Sequence, residues 1–69
     1  MMKVYVATGF DGGFLGVYAT VDQLWKDLIR DYDEETTPEQ IFFSMERRGF
    51  YSNDEVGVQV SKATIYDDE

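Results

Sequence analysis

The chain has no cysteine in 69 residues, so no disulfide or thiolate zinc site can staple it, and apolar packing has to hold whatever fold it adopts. A chain this short buries only about 60% of its unfolded surface, and one core of that size supplies roughly 3–5 kcal/mol. Under those terms the placement of each apolar residue carries information. The length allows one domain over residues 1–69, and the only proline, Pro38, sits at a helix start rather than in a spacer.

The first twenty residues read as a β-hairpin. Val4, Val6 and Thr8 alternate with Lys3, Tyr5 and Ala7, while Leu15, Val17 and Ala19 alternate with Phe14, Gly16 and Tyr18. A two-residue type I′ turn at Asp11-Gly12 sets Val6 against Val17 and Tyr5 against Tyr18, so each face keeps one character. A three-residue loop would mix the faces unless a bulge intervened. The aliphatic face is expected to face the core, leaving Tyr5 and Tyr18 on the open one.

Two helices follow. Thr20 is placed to cap the first, whose stripe is Val21, Leu24, Trp25, Leu28, Ile29 and Tyr32 at spacings of three and four. Thr37-Pro38-Glu39-Gln40 starts the second, with Thr37 as cap and Pro38 at the first helical position, and Gly49 ends it. Ile41 and Met45 share its inner side. Phe43 points the other way, among Glu39, Glu46 and Arg47, and reads either as packed under the following loop or as an exposed contact residue.

Val56, Val58 and Val60 alternate, and then Ala63 and Ile65 take over in the opposite phase, which predicts one long strand with a bulge near Ser61-Lys62. A short hairpin through Asn53-Asp54 can precede it. The expected fold class is α+β in the order β-β-α-α-β, a three-stranded antiparallel sheet with both helices on one face. The predicted core is Val4, Val6, Leu15, Val17, Leu24, Leu28, Ile29, Ile41, Met45, Val58 and Val60.

Charge limits the function. Fourteen acidic residues against six basic ones, with no histidine, give a net charge of −8. Such a chain repels phosphate backbones and anionic lipid, so its partner is expected to be basic, and direct nucleic-acid or membrane binding is disfavoured. Without histidine and cysteine the usual acid–base and thiol chemistry is missing, and no enzyme activity and no cofactor are expected. The apolar run Val4-Tyr5-Val6-Ala7 is too short for a secretory signal core or a membrane span, which points to the cytoplasm.

No motif restores a chemistry. Gly9, Gly12, Gly13 and Gly16 lack the Lys-Ser/Thr of a phosphate loop and the spacing of a dinucleotide fold, and they lead into a strand. The twelve residues from Asp31 to Phe42 place acids at the first, third, fifth and ninth positions of a calcium loop. Thr36 then stands where the sharp turn needs glycine, and Phe42 where a bidentate glutamate is needed, so no metal site is expected. What the segment offers is an anionic ridge of Asp31, Asp33, Glu34 and Glu35, with Glu39 on the next turn.

Lys3-Val4-Tyr5-Val6-Ala7-Thr8-Gly9, a short glycine-rich turn, Leu15-Gly16-Val17-Tyr18-Ala19-Thr20 and an amphipathic helix resemble small acidic accessory proteins encoded by bacteriophages. The resemblance covers the N-terminal half and carries over no catalytic residue. It implies an inhibitor of a host protein, in the manner of anti-CRISPR proteins and DNA mimics, acting in the bacterial cytoplasm on a nuclease or polymerase. In that reading Asp31, Asp33, Glu34, Glu35 and Glu39 supply charge and Phe43 an apolar anchor. The alternative is a structural or regulatory module that forms a homodimer through Tyr5, Tyr18 and the exposed sheet face.

Overall fold

Alternating apolar residues at both ends of the chain build one sheet, and the helical stripes between them cover one of its faces. The computed structural model describes residues 2–65. Strands β1 (Met2–Gly9) and β2 (Phe14–Tyr18) precede helices α1 (Val21–Leu28) and α2 (Pro38–Arg48), and strands β3 (Phe50–Asn53) and β4 (Val58–Ile65) follow. The strands are antiparallel throughout and lie in the order β2-β1-β4-β3. The fold is α+β, as expected, but the sheet has four strands rather than three.

The additional strand, β3, is only four residues long, too short for a periodicity to declare itself. It is turned back onto β4 by Asn53, whose side-chain Oδ1 accepts from the amides of Glu55 at 2.9 Å and Val56 at 3.2 Å. The Gly57 amide closes the turn on the Asn53 carbonyl at 2.8 Å, and Gly57 itself lies at φ 81°.

The helix ends follow their capping residues. Thr20 accepts from the Gln23 amide at 3.2 Å. Thr37 and Gln40 form a reciprocal capping box, at 3.3 Å from the Gln40 amide to the Thr37 hydroxyl and 3.1 Å from the Thr37 amide to the Gln40 side chain. Gly49 closes α2 in the left-handed region at φ 81°, where a residue with a Cβ is strained. The α1 stripe runs out sooner than its spacing predicts: Ile29 is the C-cap, the chain turns on the Ile29 carbonyl, and Tyr32 ends exposed.

The hairpin register is as predicted at Tyr5↔Tyr18 and Val6↔Val17. The turn is not. Gly9 and Gly13 close a three-residue loop, Phe10-Asp11-Gly12, with the Gly9 amide 2.7 Å from the Gly13 carbonyl. The pairing then shifts by one between Ala7↔Gly16 and Thr8↔Phe14, which makes Leu15 a bulge residue. The bulge offsets the odd loop, so both strands keep their faces. Asp11 steadies the loop by accepting from the Gly13 amide at 2.9 Å, and Gly12 takes φ 91°.

The faces themselves are reversed relative to the expectation. The core beneath the helices consists of Ala7, Val21, Leu24, Ile29, Ile41, Met45, Val58 and Val60, and Tyr5, Tyr18 and Tyr51 pack against it. Val6, Leu15 and Val17 are not in it; Val17 is 49% exposed, and Val4, although buried, lies on the other face. The reason is visible in the row Gly16-Ala7-Val60-Tyr51 across the sheet. The small Ala7 is fully buried in the core, and Gly16 beside it leaves room for the Tyr18 ring, which a Cβ there would meet at 3.1 Å.

Strand β4 carries no bulge, since its pairing with β1 is regular from Met2↔Ile65 to Gly9↔Val58. The phase change of its apolar residues has another cause. Val58 and Val60 lie under the helices, whereas further along the strand the helix side carries Lys62, which reaches Glu46 at 3.6 Å. Ala63 and Ile65 are apolar on the opposite face.

Candidate partner-binding surface

The chain between α1 and α2 is short of regular structure but tied at three points. The Trp25 indole N–H donates to the Thr36 carbonyl at 2.7 Å. Asp33 accepts from the Thr36 hydroxyl at 2.7 Å, from the Glu35 amide at 3.2 Å and from the Asn53 amide at 3.1 Å. Hydrogen bonds from Thr36 and then Asn53 hold the Asp33 carboxyl below the usual carboxylate range, so it stays ionised. Asp33 therefore organises the loop from a half-buried position, and the carboxylates beside it are the outward ones.

Those carboxylates form a bowl rather than a ridge. Asp31, Asp33, Glu34 and Glu35 line an open concavity of ≈ 620 Å³ together with Tyr32, Thr36, Gln40 and Glu55. Glu55 was not legible as a member. It arrives from the β3–β4 turn, and the Asp33–Asn53 contact brings that turn to the loop. One basic group lies nearby: Arg30 sits 3.7 Å from Asp31, on an exposed pair of side chains worth little in water. Among the described residues no group of three or more acidic side chains is placed to hold a metal ion.

Three of the other predicted residues meet in a neighbouring groove at the start of α2. Tyr5, Glu39 and Phe43 line a second open groove of ≈ 550 Å³, with Val21 and Phe42 adding apolar surface and Asp22 and Glu46 adding carboxylates. Phe43 is 60% exposed, and the Arg47 guanidinium stands 5.4 Å from its ring. Its placement agrees with the exposed alternative and not with packing under the following loop. Phe42, 49% exposed, lines the groove beside it.

The predicted residues thus fall into two neighbouring sets. Glu39 lines the groove and the next residue, Gln40, lines the bowl. Tyr18 belongs to neither; burial pushes its hydroxyl pKa up, and the adjacent Asp27 carboxylate adds to the effect. With Tyr5 it lies on the helix side of the sheet, so the pair does not form the exposed sheet face expected for self-association. No helix among the described residues is long and apolar enough to cross a membrane. No protein-family model, curated protein or solved structure matches this chain.

Proposed function

We propose that this protein is a non-catalytic inhibitor that binds a basic, nucleic-acid-binding protein and occludes the surface on which that partner holds nucleic acid. The observation that carries the reading is the joining of two kinds of surface at the start of α2: a bowl lined by five carboxylates, Asp31, Asp33, Glu34, Glu35 and Glu55, beside a groove floored by Tyr5, Phe42 and Phe43. Clustered charge accelerates encounter with a basic surface and rejects acidic ones. Apolar rings beside it supply the slow dissociation that charge alone does not. Resemblance of the N-terminal half to phage accessory proteins supports a bacterial cytoplasmic partner such as a nuclease or polymerase.

The test is capture from bacterial lysate on the immobilised chain, followed by elution with duplex DNA at constant ionic strength. Occlusion requires the captured proteins to be nucleic-acid-binding and to leave when DNA is added. It also requires a column carrying Glu34→Gln, Glu35→Gln and Phe43→Ala together to lose them. Proteins that stay bound in the presence of DNA, or that bind the substituted chain equally well, contradict the reading.

A further inference from the structure

The sheet has a second face that neither α1 nor α2 covers, on which Val4 is buried while Met2, Phe14, Val17, Phe50 and Ile65 are exposed. The alternation that sends Tyr5 and Ala7 to the helices sends Met2, Val4 and Val6 the other way, and their cross-strand partners Val17, Ala63 and Ile65 share that face. Phe14 and Phe50 stand on its two edge strands, and Phe14 is 68% exposed. None of the four strands contains an Asp or Glu. In a chain of net charge −8, the strands give this face no carboxylate. Beside Phe50 it holds an open hollow of ≈ 160 Å³ lined by Thr8, Gln59, Val60 and Ser61.

We propose that a second copy of the chain docks on this face, sheet against sheet, with the Phe14 ring of each copy seated in the hollow beside Phe50 of the other. Phe14 pairs with Thr8 and Thr8 with Gln59, while Ser61 and Phe50 pair in the next row of the same face, so the ring on β2 stands nearly level with a hollow that opens from Thr8 across β4 to β3. A two-fold axis running along β1 therefore exchanges them, and both insertions form in one aligned packing of two sheets about 10 Å apart. Electrostatics selects the same occupant. Among the described residues a basic partner finds no carboxylate on these strands, while two copies of like net charge repel across their helices and loops and bring no strand carboxylates together here. From strand spacing and rise, the overlapping strands cover about 400 Å² on each copy. That is below the ~800 Å² per partner of a standard interface, so the dimer is weak and reversible.

Sedimentation equilibrium of the full chain over roughly a hundredfold concentration range tests this. The expected result is a monomer–dimer equilibrium that tightens as salt is raised, because screening weakens the repulsion between two anionic chains. Phe14→Ser, and independently Ser61→Arg, which fills and charges the hollow from an exposed position, should each weaken it by about tenfold or more. Phe43→Ser, in the groove beside α2, should leave it unchanged. A chain that stays monomeric at every concentration in high salt overturns the proposal. So does a dimer indifferent to both Phe14→Ser and Ser61→Arg, including one that Phe43→Ser abolishes.

Discussion

Asn53, the one buried polar side chain among the described residues, donates its amide to Asp33 at 3.1 Å across twenty residues of sequence. The same amide reaches the Tyr51 hydroxyl at 2.8 Å, while its oxygen takes the Glu55 and Val56 amides. One side chain thus makes the β3–β4 turn and ties it to the α1–α2 loop, which sets Glu55 among the other carboxylates. Asn53→Ala leaves several of these groups without partners and should destabilise the fold by about 1–3 kcal/mol, measured by urea denaturation. Asp33→Ala added to that variant should cost less than in the native chain, by the worth of their shared bond, because its bonds from Thr36 and Glu35 remain to be lost.

The Asp33 carboxyl also gives a pH signature. Its folded pKa lies below its unfolded value, through hydrogen bonds from Thr36 and Asn53. The stability it contributes is therefore complete above the unfolded value, ordinarily about 3.9, and is lost as pH falls through the folded one. Denaturation midpoints across the acid range should fall less steeply in Asp33→Asn than in the native chain. Parallel curves would place the acid sensitivity elsewhere.

Gly12 sits at φ 91° with no atom within 4 Å of where a Cβ would lie. Replacing it strains the backbone without a clash, so Gly12→Val should cost about 1 kcal/mol or more in a denaturant melt while leaving binding through the α2 surface intact.

Ala7 is fully buried beneath the helices, whereas Val17 is half exposed on the face that neither helix covers. Ala7→Leu should overpack the core and cost about 1–3 kcal/mol, while Val17→Thr should stay within about 0.5 kcal/mol. Thermal melts decide between this placement and the reverse.

That reversal marks where sequence reasoning ran out. Helix caps at Thr20, Thr37 and Gly49 were legible because each is set by neighbours along the chain. The Tyr5↔Tyr18 register, which the sequence reading derives from a two-residue turn, holds because a three-residue loop and the bulge at Leu15 offset one another. Which face of the hairpin goes inward was not legible, because both faces are apolar enough to qualify and the choice is made by tertiary packing over Ala7 and by the Tyr18 ring lying over Gly16. The hairpin through Asn53-Asp54 was legible from its turn residues and is the β3–β4 turn, although the expected sheet did not count its first arm as a fourth strand. The phase change in β4 reads as a bulge but marks where Lys62 replaces valine on the helix side. In the candidate site, the acidic run Asp31 to Glu35 and the outward Phe43 were visible locally. Glu55 and Phe42 depend on tertiary contacts, and no local pattern encodes them.

The proposal that charge and apolar surface act together at the start of α2 is tested most directly by amide chemical-shift titration with a short peptide of arginines around one phenylalanine. Saturable shifts are expected at Glu34, Glu35, Glu39, Phe42 and Phe43, with those at Phe42 and Phe43 surviving high salt better than those at the carboxylates. Weak, unsaturable shifts spread over Asp11, Asp22, Asp27 and Asp54 as much as over these residues would contradict it.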